Sequence, residues 1–132
     1  WDAQGFDSDW NCRNTVIQYN LSRNNEGGFL LICNNGGASP HIAINTGTVI
    51  RYNVSLNDGI RPDVPPRYRD AKRWFSPTFH ISGPVKNTRI HNNLIYVPNK
   101  TDSRMDRTLV QMDNWGGPWP QDTYFANNIF VA

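Results

Sequence analysis

The sequence predicts an all-β protein built as a parallel β-helix, or β-solenoid, of about four coils, and three observations support this prediction. Hydrophobic residues make up 38% and charged residues 18% of the 132-residue chain, which is low for an ordinary two-layer globule. Asn and Gly are abundant and Glu26 is the sole glutamate, a composition that disfavours long helices. A short pattern also recurs along the chain, as expected for stacked repeats.

The recurring pattern has a Thr, an apolar residue two positions later, an Asn five positions later and a second apolar residue six positions later. Its four copies begin at Thr15, Thr48, Thr88 and Thr123. Their asparagines are Asn20, Asn53, Asn93 and Asn128, spaced by 33, 40 and 35 residues. We expect the first apolar residue to point inward from a strand and the Asn to sit at a corner. Stacked coils would then join the four amides in a hydrogen-bonded ladder.

Each coil should carry at least one further strand, because the segments between copies contain a second apolar run. These strands are predicted at residues 5–9, 29–33, 79–82 and 109–112. Two insertions, residues 57–78 and 100–108, should leave the helix at one corner. The chain is thus predicted to be a single domain spanning residues 1–132. Its final apolar strand has no predicted cover, so we expect an excerpt of a longer β-helix, or a partner chain over the ends.

The copy Asn14-Thr15-Val16-Ile17-Gln18-Tyr19-Asn20 resembles the right-handed parallel β-helix repeat of the pectate-lyase-like superfamily. The resemblance covers essentially the whole chain and implies a right-handed parallel β-helix. Members of that superfamily include polysaccharide lyases, glycoside hydrolases, esterases, epimerases and phage tailspikes. Residues 5–11 and 24–29 are similar to coils of bacterial β-helix glycoside hydrolases. A polysaccharide or oligosaccharide is therefore the expected partner.

The candidate catalytic residues are carboxylates on the first coil and the next. With Phe6 inside, strand alternation turns Asp7 and Asp9 outward. Aligning Phe6 with Phe29 would put Glu26 roughly 5 to 10 Å from them. Such a pair serves glycoside hydrolysis, with Glu26 as the acid and Asp9 or Asp7 as nucleophile or base. The alternatives are solvated, turn-forming aspartates or a Ca²⁺ site built from Asp7, Asp9 and Asn11.

Substrate-binding candidates come mainly from the two insertions. Tyr68 and Trp74 would stack on sugar rings, while arginines would pair with uronate or sulfate groups. These arginines are Arg67, Arg69, Arg73 and Arg104. His80 takes the place of Asp7 when Phe79 is aligned with Phe6, which makes it a candidate proton carrier. The alternatives are a basic surface loop held down by Trp74 and Phe75, and a structural histidine. The loop from Trp115 to Trp119 is a sugar platform or, more simply, a packing loop.

The remaining features narrow the possible classes of function without deciding among them. Cys12 and Cys33 fall on adjacent coils and form either a disulfide suited to an exported protein or free thiols with Cys33 in the core. The net charge of +2 and the lack of a long apolar run favour neither nucleic acid nor membrane as partner. No cofactor motif is present, apart from the Ca²⁺ alternative. The sequence thus favours a secreted, periplasmic or cell-surface glycoside hydrolase. The alternatives are a polysaccharide lyase using Ca²⁺ and a loop Arg or Lys, and a non-catalytic glycan-binding or structural β-helix.

Overall fold

The computed structural model describes residues 4–35, 44–61, 74–97 and 106–132. Within these ranges the protein is all-β and contains thirteen strands. They are β1 (Gln4–Ser8), β2 (Val16–Gln18), β3 (Leu21–Arg23), β4 (Gly28–Cys33), β5 (Asn45–Thr46), β6 (Val49–Arg51), β7 (Val54–Leu56), β8 (Phe79–Ser82), β9 (Val85–His91), β10 (Leu94–Tyr96), β11 (Val110–Asp113), β12 (Gln121–Ala126) and β13 (Ile129–Val131). The described ranges hold no helix that is long and apolar enough to cross a membrane.

The strands form three sheets in which every described pairing is parallel. The first sheet has the order β1-β4-β8-β11, the second β12-β9-β6-β2 and the third β13-β10-β7-β3, while β5 pairs with β9 at the side of the second. The chain visits the first, second and third sheets in that order and then repeats, and we call one such passage a circuit. The prediction of stacked parallel strands is confirmed, and the arrangement is compatible with a parallel β-helix.

The Thr-to-Asn pattern marks the corner between the second and third sheets. In each copy the residue before the ladder Asn has a positive φ: 58° at Tyr19, 54° at Tyr52, 57° at Asn92 and 52° at Asn127. This left-handed conformation breaks the extended chain, so one strand ends before it and the next begins after the Asn. The single motif therefore encodes two short strands, and each circuit has one strand in each of the three sheets, where the sequence predicted at least two strands; the second circuit also contains β5.

The predicted asparagine ladder is confirmed along all four copies. The Nδ2 of Asn20 donates to Oδ1 of Asn53 at 3.0 Å, and Asn53 donates likewise to Asn93 at 3.0 Å. Asn93 donates to Asn128 at 2.9 Å. The backbone N–H of each of the first three also donates to the same Oδ1, so each step of the ladder fixes one corner against the next.

The core lies between the three sheets and consists of inward-facing apolar side chains. Phe29 and Phe79 stack edge to face with ring centroids 5.4 Å apart, and Phe6 packs on Phe29 at 5.7 Å. The buried cluster comprises Ile17, Phe29, Leu30, Ile32, Ile50, Phe79, Ile81, Val85, Ile90, Ile95 and Val97. The predicted inward position two residues after the Thr is thus buried at Ile17, Ile50 and Ile90.

One predicted alignment is wrong by a single residue. Phe6 pairs with Leu30, and not with Phe29, whereas Phe79 also pairs with Leu30 and so shares the register of Phe6 as predicted. The cause is a local widening of β4. The N–H groups of Phe29 and Leu30 both donate to the carbonyl oxygen of Thr78, at 2.8 and 3.1 Å. Two residues opposite one is the geometry of a β-bulge, which lets both side chains enter the core.

Candidate functional site

The outward face of the first sheet carries a group of polar and reactive side chains. Because Phe6, Leu30 and Phe79 point inward, the residues that follow them point outward. The register aligns Asp7, Leu31, His80 and Gln111 in one row. It aligns Cys33, Ser82 and Asp113 in the next row, two residues further along. Asp9 joins this second row, since the Cys33 thiol donates to its Oδ1 at 3.1 Å.

Asp113 links two of these side chains. Its Oδ2 lies 2.8 Å from Nε2 of His80, and its Oδ1 accepts a hydrogen bond from the Ser82 hydroxyl. Strand pairing places Asp113 directly beside Ser82, and His80 lies two residues back on the same face, so one carboxylate reaches both. His80 is 3% exposed, Ser82 is fully buried and the Asp113 side chain is 29% exposed. The result is a polar network with one side open to solvent.

Two aromatic side chains frame His80. The ring of Phe75 meets the imidazole edge to face at a centroid distance of 5.0 Å, and the Trp115 ring does so at 5.5 Å. Phe75 is 36% and Trp115 44% exposed, so each also presents apolar surface to solvent. The imidazole therefore contacts two aromatic rings that are themselves partly open to solvent.

A cleft of about 330 Å³ opens over this network. Its lining residues are Gln4, Gly27, Arg61, Phe75, His80, Asp113 and Trp115. Arg61 supplies a cation, Asp113 an anion and Gln4 an amide, while Phe75 and Trp115 supply apolar surface. A few polar groups converging beside aromatic walls is the usual composition of a small-molecule site.

Glu26 lies beside the Arg61 wall of the cleft. Its Oε2 is 4.0 Å from the Arg61 guanidinium, and the glutamate side chain is 48% exposed while Arg61 is 5% exposed. The corner is fixed by Asn25, whose backbone N–H and Nδ2 both donate to Oδ1 of Asp58, at 2.9 and 2.8 Å. The insertion that follows Asn57 therefore leaves from the same corner as Glu26, as predicted.

Glu26 and Asp7 lie toward opposite ends of the paired strands β1 and β4. Gly28 pairs with Gln4, three residues before Asp7, or about 10 Å along the strand. Glu26 lies in the turn before Gly28, on the other side of that pairing. The expected spacing of Glu26 from Asp7 and Asp9 therefore stays a prediction, and the contact that the structure gives Glu26 is with Arg61.

Asp7 and Asp9 do lie together, with a third group that was not predicted there. Oxygen atoms of both carboxylates and the Sγ of Cys33 all fall within 4.8 Å of one another. Both aspartates are exposed, as predicted, and Cys33 is buried. Asn11, the third predicted Ca²⁺ ligand, sits in the turn after β1, where its N–H donates to Oδ1 of Asn34 at 3.1 Å.

The other candidates have mixed outcomes. His80 faces outward in the row of Asp7, as its alignment predicted. Trp74 is only 4% exposed, which favours its packing alternative over ring stacking. Cys12 and Cys33 are not joined by a disulfide, so the disulfide alternative is wrong, and Cys33 lies on the outward side of its strand. The candidates Arg67, Tyr68, Arg69, Arg73 and Arg104 lie outside the described residues.

Sequence reasoning missed Asp113, Ser82 and Arg61 as site residues. Asp113 directly follows the predicted strand 109–112, which in fact runs from Val110 to Asp113. Placing Val110 opposite Phe79 would have put Asp113 beside Ser82. The alternating pattern would have indicated this pairing, but the strand was predicted to start at Leu109, one residue before its actual start at Val110.

Comparisons with known proteins identify no relative of this chain. No family model matches the chain, and neither the curated proteins nor the solved structures contain a significant match. A functional assignment therefore depends on the cleft and on the outward face of the first sheet.

Proposed function

We propose that this chain is a carbohydrate-active right-handed parallel β-helix of the pectate-lyase-like type that binds a polysaccharide or oligosaccharide in the cleft. The observation that carries the proposal is the partly exposed pair Phe75 and Trp115 beside the polar pair His80 and Asp113. A sugar ring has one apolar face and a rim of hydroxyls, so it needs such a combination of aromatic surface and hydrogen-bonding groups.

The size and charge of the cleft fit this ligand. At about 330 Å³ it is at the lower end of ligand pockets, which suits one or two units of a longer chain. Asp113 accepts hydrogen bonds from hydroxyl groups, while Gln4 and Arg61 donate them. Arg61 also gives the cleft a cation that would pair with a uronate or sulfate group.

Hydrolysis is the activity that we propose for the bound glycan, and Asp7 and Asp9 are its candidate groups. One oxygen of each carboxylate lies within 4.8 Å of the other, so the pair is no further apart than the carboxyl groups of retaining glycosidases, which are about 5 to 5.5 Å apart. Both are exposed on the same sheet face as His80. Glu26 stays a candidate acid only for a sugar lying along the Arg61 wall.

The test compares Trp115 with Trp119, an exposed tryptophan that does not line the cleft. Glycan binding would be measured by calorimetry over a panel of neutral and acidic oligosaccharides. We expect Trp115→Ala to weaken binding about tenfold or more, since ring stacking contributes roughly 1 to 2 kcal/mol. Trp119→Ala should bind as the wild type does. Equal loss in both variants, or no binding by the wild type, would contradict the proposal.

The same panel, read for reducing ends and for absorbance at 235 nm, separates the activities. Reducing ends without new absorbance, lost in Asp7→Asn and Asp9→Asn, would support the hydrolase. New absorbance would indicate the lyase alternative, in which Asp7 and Asp9 hold Ca²⁺. Binding without either signal would indicate the non-catalytic alternative.

A further inference from the structure

The contact between His80 and Asp113 has the form of a catalytic dyad. We propose that His80, oriented by Asp113, is a general base that activates water in the cleft for hydrolysis of an acyl ester carried by the bound sugar. The carbohydrate part of this inference rests on the proposed function, whereas the base and its orientation rest on the contacts alone.

The carboxylate fixes which imidazole nitrogen can accept a proton. Asp113 is an acceptor, so the nitrogen bonded to it, Nε2, carries the hydrogen in the neutral ring. The lone pair is then on Nδ1, for which the described residues provide no hydrogen-bond partner. The Ser82 hydroxyl holds the other carboxylate oxygen, and this prevents Asp113 from rotating away. A carboxylate that holds one nitrogen of a histidine is the orienting element of hydrolytic triads.

Ser82 is not available as the nucleophile. It is fully buried and its hydroxyl is committed to Asp113, so the attacking oxygen must come from the cleft. Water is the simplest source, because the cleft is open to solvent and His80 lines it. Asp113 is thus a positioning residue, and His80 is the group that would touch the reacting water.

The reaction balances without any further reagent. Nδ1 of His80 takes one proton from water while the water oxygen bonds to the acyl carbon. The carbonyl oxygen becomes negative, and the Arg61 guanidinium is the described cation of the cleft that would stabilise this charge. The bond from the acyl carbon to the sugar oxygen then breaks, and that oxygen takes the proton from the imidazolium. A carboxylic acid and a free sugar hydroxyl are released.

An ester suits this site better than a glycosidic bond does. Cleavage of a glycosidic bond normally requires two carboxylates acting together, and Asp113 is the one carboxylate among the described residues that line the cleft. Attack on an acyl carbon requires one base and one stabilising group for the oxyanion, and His80 and Arg61 line the same cleft. The two activities would therefore occupy different parts of one sheet face.

The test uses p-nitrophenyl acetate and the full chain. We expect His80→Gln to lower the rate of hydrolysis by about 100-fold or more, and Asp113→Asn to lower it by at least tenfold. The wild-type rate should rise with pH as a single group loses its proton, and this dependence should vanish in His80→Gln. The matched control is His91→Gln, because His91 packs against Tyr52 and does not line the cleft. Its rate should equal that of the wild type.

Several outcomes would overturn the inference. One is a wild-type rate no higher than that of His80→Gln. A burst of p-nitrophenol with no slowing in D₂O would mean that His80 attacks the ester directly, which excludes the water mechanism. An unchanged rate in Asp113→Asn would remove Asp113 as the positioning residue. If His80→Gln fails to fold by circular dichroism, then the wild-type pH profile and Asp113→Asn decide the question.

Glycan binding by the same samples keeps the two proposals apart. Hydrolysis of p-nitrophenyl acetate without glycan binding would refute the carbohydrate assignment alone. Glycan binding that depends on Trp115, without ester hydrolysis, would refute the dyad alone.

Discussion

The middle circuits and the last circuit use the same pattern yet bury it to different extents. At the inward position of the second sheet, Ile50 and Ile90 are fully buried, whereas Phe125 is 37% exposed. In the third sheet Ile95 is fully buried, and Phe130 beside it is 38% exposed. An inward side chain in stacked circuits is covered by neighbours above and below it. The repeat sets the direction of a side chain, but its burial differs along the stack. Ile17 in the first circuit is 8% exposed although its strand also has a neighbour on one side only, whereas Phe125 and Phe130 in the last circuit stay partly open.

The largest difference in unfolding free energy should appear at the corner that follows the first sheet. Gly83 lies at this corner after β8, and Gly116 lies at it after β11. Gly83 and Gly116 have nearly equal φ values, +77° and +80°. A Cβ on Gly83 would overlap the backbone carbonyl of Asn34, whereas a Cβ on Gly116 would meet nothing within 4 Å. We expect Gly83→Ala to cost about 4 kcal/mol of unfolding free energy or to prevent folding, because backbone overlap adds to the left-handed strain.

Gly116→Ala is the matched control for this substitution. It should cost only about 1 kcal/mol, the strain of a left-handed alanine. Urea unfolding monitored by circular dichroism would give both values. Equal losses in the two variants would show that the left-handed φ alone sets the cost, and would contradict the expected contribution of backbone overlap at Gly83.

A smaller effect should come from the inward residues themselves. We expect Ile90→Ala to cost about 3 kcal/mol, since it would leave a cavity between stacked strands. Phe125→Ala removes more atoms, yet it should cost less, about 1 to 2 kcal/mol, because Phe125 is already partly in water. The shift of the urea unfolding midpoint would measure both losses, provided that the dependence of the unfolding free energy on urea concentration is the same in each variant. A Phe125→Ala loss larger than that of Ile90→Ala would contradict the comparison.

The sequence predicted the parts of the fold that depend on repetition. The Asn ladder, the inward Ile17, Ile50 and Ile90 and the parallel stacking follow from a pattern that each copy repeats. The bulge at Phe29 and Leu30 does not repeat, and so the register of one strand pair was wrong by one residue. Alternation alone fixes a face only where the strand is regular.

The repeated apolar residue six positions after the Thr shows a second limit. The sequence pattern does not predict whether this residue points inward or outward. In the structure it points outward, with Leu21 67% and Ile129 61% exposed. Hydrophobicity at a repeated position therefore does not by itself indicate burial. Conversely, polarity and outward direction do not by themselves indicate exposure, since Ser82 in the site is polar and faces outward but is fully buried.

The candidate site was predictable only in outline for a related reason. The outward direction of Asp7, Asp9 and His80 follows from alternation. The contact of His80 with Asp113 joins two strands 33 residues apart, and its partner was hidden by a one-residue error in β11. Residues from separate circuits meet only through the register, which local sequence does not determine.

The smallest difference in unfolding free energy between a middle and a terminal position should appear in the asparagine ladder. Oδ1 of Asn53 accepts from the N–H and Nδ2 of Asn20, and its Nδ2 donates to Asn93 and to the Ile17 carbonyl. Asn128, at the other end of the ladder, accepts from Asn93 and donates to the Ile90 carbonyl. Asn53 is 1% exposed, whereas Asn128 is partly exposed.

We therefore expect Asn53→Ala to cost about 2 kcal/mol, since it leaves buried groups on both sides without partners. Asn128→Ala should cost about half as much, because water can reach the groups that it frees. The two variants would be compared by urea unfolding against Asn20→Ala, which breaks the ladder at its other end and should resemble Asn128→Ala. Three equal losses would mean that each amide stabilises only its own corner. A distinctly larger loss at Asn53 would mean that the ladder stabilises the stack by joining circuits on both sides, as the buried isoleucines do.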